Sequence, residues 1–168
     1  VKKIMHLAKE FPINFIDTAQ AYGSSEKCLG KFISDKKSFK FISKLKPQIN
    51  KIWKAEDILK CEIEFQNTLN NLKISELDSF LIHSPNEFLK EDNNLFLKWL
   101  SSLKGRGLVK RIGVSIYPDS CLDDLPLRFL EIAQIPLSIY DQRILDNKIL
   151  KFLIAEFGIS IHVRSIFL

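Results

Sequence analysis

The chain has 168 residues, 46% hydrophobic and 27% charged, with a net charge of +5 and three cysteines. That length suits one hydrophobic core and is short for two, and the balance excludes a disordered or low-complexity chain. Charges such as Lys98 and Glu131 interrupt each long apolar run, the first ten residues hold Lys2, Lys3 and Lys9 without a signal core, and Cys28, Cys61 and Cys121 are scattered through predicted helices with neither disulfide nor zinc spacing, so a single cytoplasmic domain without membrane span or metal site is expected.

In chain order the first predicted strand covers 14–18 and ends on Asp17. A loop holding Tyr22 and Gly23 follows, and Ser24 or Ser25 with Glu26 behind it reads as a helix N-cap. The helix after it is expected to bury Leu29, Phe32 and Ile33. A second strand spans 39–44. From 57 to 72 the apolar set Ile58, Cys61, Phe65, Leu69 and Leu72 advances by three or four residues, the stripe of one helix face. A third strand is expected over 77–83, and Phe96, Trp99, Leu100 and Leu103 mark a helix stopped by Gly105 and Gly107. Strands over 111–115 and 131–136 come next. Ile149, Leu150, Leu153, Ile154 and Phe157 form another helical stripe closed by Gly158, before a last strand over 159–164.

Strands that are apolar almost throughout, such as Ser79-Phe80-Leu81-Ile82, suit a sheet covered on both faces, and alternation with helices makes it parallel. An open doubly wound sheet and a closed (β/α)8 barrel both fit. No Gly-rich phosphate fingerprint follows a strand, which disfavours the first. Asp17, Lys44, His83 and Ser115 each stand at the C-terminal end of a different strand, and a barrel brings such ends to one mouth.

Singly, each residue has an ordinary explanation: a turn Asp, a covering Tyr, a Lys leaving its strand for water, a His satisfied by backbone. Four on successive strand ends favour chemistry. Lysines crowd one region, at Lys36, Lys37, Lys40, Lys44, Lys46, Lys51 and Lys54. Such a run attracts polyanions but is more often a solvated face, and a phosphate-bearing cofactor also suits it.

These phrases resemble the aldo-keto reductases along nearly the whole chain. Asp17-Thr18-Ala19 through Tyr22-Gly23, with Ser25-Glu26 and Leu29-Gly30, is similar to the family's first signature. Phe41-Ile42-Ser43-Lys44 resembles the strand carrying its catalytic lysine. Leu69-Asn70-Asn71-Leu72 and then Leu77 to Pro85 resemble the stretch carrying its catalytic histidine, His83. The run from Gly107 to Ser115 resembles the next strand, and Ala133-Gln134 with Asp141 and Arg143 the one after.

The resemblance implies reduction of a small-molecule carbonyl by NADPH, with NADH as the alternative, and catalysis by Asp17, Tyr22, Lys44 and His83. A phenol with a pKa near 10 donates poorly at neutral pH unless its anion is stabilised, and Lys44 beside the Tyr22 oxygen, aimed by Asp17, is expected to do this. His83 is expected to hydrogen-bond the substrate oxygen. Ser115 and Gln134 are implied as holding the nicotinamide amide, with Arg164 at the place of a stacking aromatic. Ile116 stands where most members carry an Asn that binds the carboxamide. The ending 163–168 is similar to a bacterial branch found with cell-surface sugar or carbohydrate pathways, which implies a sugar-derived substrate.

A barrel of this kind takes about 250 residues. With six countable strands, the chain reads as an incomplete (β/α)8 barrel, one domain over 1–168, lacking the family's first strand and last βα units, and weak or absent activity is expected of it alone. Two further readings stay open. One is a non-catalytic relative that binds cofactor or a partner protein as a regulatory subunit, which the complete set of four residues disfavours. The other, a nucleic-acid-binding module, rests on the basic balance alone and has no supporting motif.

Overall fold

The computed structural model describes residues 1–48, 52–88, 93–120, 125–146 and 148–167. Helix α1 (Lys2–Glu10) leads into β1 (Phe15–Asp17), and the chain then runs α2 (Ser25–Phe32), β2 (Lys40–Leu45), α3 (Ala55–Leu72), β3 (Leu77–Ile82), α4 (Asn94–Gly105), β4 (Val109–Ser115), β5 (Ile132–Pro136), α5 (Arg143–Asp146), α6 (Lys148–Phe157) and β6 (Ser160–Arg164). All six strands form one sheet in sequential order, and every neighbouring pair is parallel. Each predicted strand is present within two residues of its expected bounds. Cys121, Lys51 and the side chains of Ile149 and Leu150 lie outside the described residues.

The sheet curls. Gln134 on β5 donates to the Asp17 carboxylate on β1 at 3.0 Å, and the Phe15 ring of β1 meets His162 of β6 edge-on at 5.2 Å between centroids. Strands four and five places apart in the sheet touch only if the sheet bends round on itself, as the strands of an incomplete (β/α)8 barrel do.

Alternate residues on each strand face the concave interior, which is filled in layers. Near the strand starts lie Phe15, His162, the Lys40 ammonium at 5.0 Å from the Phe15 ring centre, and Arg111 at 6.0 Å from it. Ile42, Leu81 and Ile132 form the middle layer as a small cluster apart from the main core. Gly113 belongs to that layer, for a Cβ built there lies 2.2 Å from the Ile132 side chain and 2.8 Å from that of Leu81. The upper layer is polar and holds Asp17, Lys44 and Gln134.

The intervening strand residues point outward and make the main core with the helices. Phe41, Leu45, Phe80, Ile82, Ile112 and Val114 bury against Phe65, Leu69, Leu72, Trp99, Leu100 and Leu103. Phe80 sits at the centre, with Phe65 at 5.0 Å and Trp99 at 6.3 Å in edge-on contacts. Helix α3 ends on Lys73 in the left-handed region, and the Ile74 amide reaches back to the Leu69 carbonyl at 3.1 Å. Gly107 and Gly158 take positive φ just past α4 and α6, where the sequence predicts those helices to stop.

Three expectations need correction. Phe32 is 40% exposed, and α2 buries Gly30 and Glu26 instead, with Ile33 just beyond it. Ser24 is the N-cap residue of α2 but makes no side-chain capping bond. Glu26 turns into the sheet and accepts a 2.7 Å hydrogen bond from the Ser43 hydroxyl, which ties the helix to the outer face of β2. Ile154 is 53% exposed while Leu153 carries the buried contact of α6, because the stripe is narrower than its spacing implied.

Gly30 is where α2 crosses α3. A Cβ there lies 1.8 Å from the Asn71 carbonyl oxygen, a backbone atom that cannot swing aside. Gly30→Ala is therefore expected to lower the unfolding free energy by about 2–3 kcal/mol, read from urea titration. A stability within 0.5 kcal/mol of wild type, about the scatter of a surface substitution, contradicts this close crossing.

Candidate active site

Asp17 is the last residue of β1, and the chain beyond it stays zipped to β2. The Thr18 amide donates to the Ile42 carbonyl at 2.9 Å and the Gln20 amide to that of Lys44 at 3.2 Å. The chain then turns. The Tyr22 amide reaches the Ala19 carbonyl at 3.0 Å, and Gly23 takes φ +57°, a conformation that favours glycine. The turn places Tyr22 over the mouth just before α2.

Lys44 lies near the end of β2 and is 1% exposed. Its ammonium donates to both Asp17 carboxylate oxygens, at 2.7 and 2.6 Å, and to the Thr18 carbonyl at 3.1 Å. A buried ammonium is tolerable only with such partners, and here three oxygens supply them. Burial pushes the lysine below its ordinary pKa of 10.5, and Asp17 opposes that push. Asp17 itself also takes the Gln134 hydrogen bond, so β1, β2 and β5 are pinned at one carboxylate.

Tyr22 packs its ring edge-on against His83, 5.9 Å between centroids, with the Lys44 ammonium 5.2 Å from the Tyr22 ring centre. His83 follows the last residue of β3, and its amide bonds to the Leu45 carbonyl at 3.3 Å. Tyr22, Lys44, His83 and Asp17 are thus one cluster, as the sequence predicts. One detail differs. The ammonium lies over the ring and on Asp17, and the phenol is raised above its usual 10.0, first by burial and next by the Asp17 charge. Phenolate stabilisation by Lys44 is not the governing effect in this state. Burial, Lys44 and Arg164 push the His83 imidazole below 6.5, so it is neutral at pH 7. Its Nδ1 is buried without a hydrogen-bond partner among the described residues.

Ser115 at the end of β4 and Gln134 in the middle of β5 are both buried and pair across the ladder. Gln134 gives its amide nitrogen to Asp17 and leaves Oε1 buried and unpaired among the described residues. Arg164 ends β6. Its guanidinium lies 4.5 Å from the Tyr117 ring centre, and its charge acts on Tyr22, Lys44 and His83. Ile116 is 1% exposed within the outer core. The sequence reading missed the Thr18 carbonyl as a lysine ligand and Tyr117 as the support of Arg164. An aromatic two residues past the end of β4 was the available signal for the second.

The phenol of Tyr22 is expected to titrate above 10, and Arg164→Gln to move it higher still, because the guanidinium charge favours the phenolate. Carbon-13 NMR of labelled tyrosine rings reads both, and a Tyr22 value at or below 10 contradicts the burial described.

The aldo/keto reductase family model matches residues 1–167. Among solved structures, the chain is similar to an aldo-keto reductase from Pseudomonas aeruginosa, with a TM-score of 0.77 and 22% identity over 98% of this chain and 64% of that one. An aldo-keto reductase from Brucella melitensis gives 0.67 and 27% over 94% and 60%. One from Bacillus halodurans in its holo form gives 0.74 and 20% over 98% and 56%. The chain therefore spans less than two thirds of the length of these structures. A comparison with curated proteins returns no match.

Proposed function

The chain belongs to the aldo/keto reductase family, and from that premise we propose that the whole protein reduces an aldehyde or ketone to an alcohol with NADPH, or with NADH. The observation that carries this reading is the cluster of Tyr22, Lys44, Asp17 and His83 at one mouth, with buried polar atoms of His83, Gln134 and Arg164 unpaired among the described residues.

The residues fit a nicotinamide. The unpaired Gln134 Oε1 is an acceptor for a carboxamide N–H, Ser115 is its neighbour across the β4–β5 ladder, and the Arg164 plane offers a face on which an aromatic ring stacks. Gln134, Ser115 and Arg164 would hold that group, and the hydride for the carbonyl carbon would come from it. The chain supplies the rest. His83 is neutral, can donate from its ring to the substrate oxygen and thereby orients the carbonyl. The Tyr22 hydroxyl, protonated at neutral pH, gives its proton to that oxygen as negative charge builds on it. Lys44, held on Asp17 and close under the Tyr22 ring, opposes the negative charge left on the phenol. A sugar-derived carbonyl remains the substrate that the sequence ending suggests.

The test is loss of the reduced-nicotinamide absorbance on adding an aldehyde. Carbonyl-independent loss, or equal rates in wild type and Tyr22→Phe, ends the proposal.

A further inference from the structure

Arg164 is the mouth residue whose chemistry the proposed reduction uses least. It sits on the sixth strand, where its carbonyl accepts from the Leu137 amide at 3.1 Å, so its backbone is fixed by the β5 connection. Tyr117 covers one part of its guanidinium at 4.5 Å. One nitrogen, Nη1, donates to the Ser165 hydroxyl at a long 3.4 Å, while Nη2 is shielded from solvent and has no partner among the described residues. An unpaired, desolvated N–H of a cation is costly, and it is the kind of group a site keeps for an oxyanion.

The surroundings favour that use. With His83 neutral, the described residues at the mouth include two cations, Lys44 and Arg164, and one carboxylate, Asp17, which Lys44 already holds. Among the described residues Arg164 has no carboxylate partner. Arg164 stands opposite Pro136 on β5, two residues past the Gln134 that bonds Asp17, so its strand end opens on the same mouth as the reacting groups.

We infer that Arg164 is an oxyanion anchor, and that the carbonyl compound taken by this mouth carries a carboxylate or phosphate which the guanidinium edge binds. This rests on the reductase reading of the same site. A guanidinium presents faces to rings and its edge to oxyanions, so stacking on a nicotinamide and holding an anion do not compete. A planar fork also fixes direction, which turns the carbonyl of an anchored substrate toward Tyr22 and His83.

The experiment compares 4-carboxybenzaldehyde and 4-formylphenyl phosphate with benzaldehyde, which share a ring and differ in charge. Binding to the full chain is followed by NMR shifts of the Tyr22 and His83 rings without nicotinamide, so it is independent of turnover. At least one anionic probe is expected to bind about tenfold more tightly than benzaldehyde, and whichever does names the anion class. In Arg164→Gln the ratio of affinities is expected to fall to about one, whatever happens to the absolute values, and Arg164→Lys is expected to keep part of it. A ratio near one in the wild type overturns the inference, as does a preference that survives in Arg164→Gln. So does an Arg164→Gln protein that loses nicotinamide affinity while keeping its preference for anions, since the unpaired N–H then serves the cofactor. Because the ratio is read by binding, a failed turnover assay leaves it standing, and a lost preference leaves the Tyr22 test standing.

Discussion

Tyr22→Phe is expected to lower carbonyl reduction by the whole protein by about 10²–10⁴-fold, the range a positioned general acid contributes. The substitution removes one oxygen and keeps the ring, so the edge-on contact with His83 and the position of the ring above the Lys44 ammonium are retained. Nicotinamide affinity is therefore expected to stay within about threefold, since the cofactor is assigned to Gln134, Ser115 and Arg164; no more than a weak interaction of about 0.7 kcal/mol is at stake. The separation of the two measurements matters. A fall in both points to a collapsed mouth, and circular dichroism distinguishes that case. A loss of less than about tenfold, short of what a general acid contributes, assigns proton delivery to another group.

Asp17→Ala is expected to be the most destabilising single change at the mouth. It leaves the 1% exposed Lys44 with only the Thr18 carbonyl among the described residues and frees the Gln134 amide as well. Breaking one side of a buried pair costs about 3–5 kcal/mol, and because Asp17 is itself 36% exposed the lower end applies. The loss has a pH signature whose sign follows from linkage. Lys44 already sits below 10.5 in the folded chain, so the unfolded chain binds more protons and stability rises with pH between the folded value and 10.5. Removing Asp17 removes the charge that holds the lysine up and widens this window. The variant should regain stability as pH rises from 7 toward 10, more steeply than wild type. Denaturant titrations at three pH values decide it, and a flat profile with unchanged midpoint means that the pair contributes nothing. Lys44→Met combined with Asp17→Leu is expected to recover most of the stability while remaining inactive, because no buried charge is then left alone.

Much of this was written locally in the chain. Alternating apolar strands and helical stripes are short-range patterns, so six strands, their parallel order and the residues at their C-terminal ends could be read without coordinates. The placement of Tyr22 was legible for the same reason: a strand, a glycine turn and a helix start lie within a dozen residues. Local pattern fails where one face of an element is left uncovered. Phe32 and Ile154 fit a helical stripe yet are exposed, because a periodicity marks which residues share a face and not how far the neighbouring layer extends.

The amino-acid order by itself therefore determined the alternation of strands and helices, the strand ends that carry Asp17, Lys44, His83 and Ser115, and the family phrases around them. Only the tertiary structure decided how these tips meet. That Gln134 bonds to a carboxylate 117 residues away, that Lys44 turns to Asp17 and Thr18 more than to the phenol, and that an Arg164 nitrogen is buried without a partner all depend on the curl of the sheet. Curl is the summed twist of six strands packed over small interior residues such as Gly113, a non-local property that no window of the sequence contains.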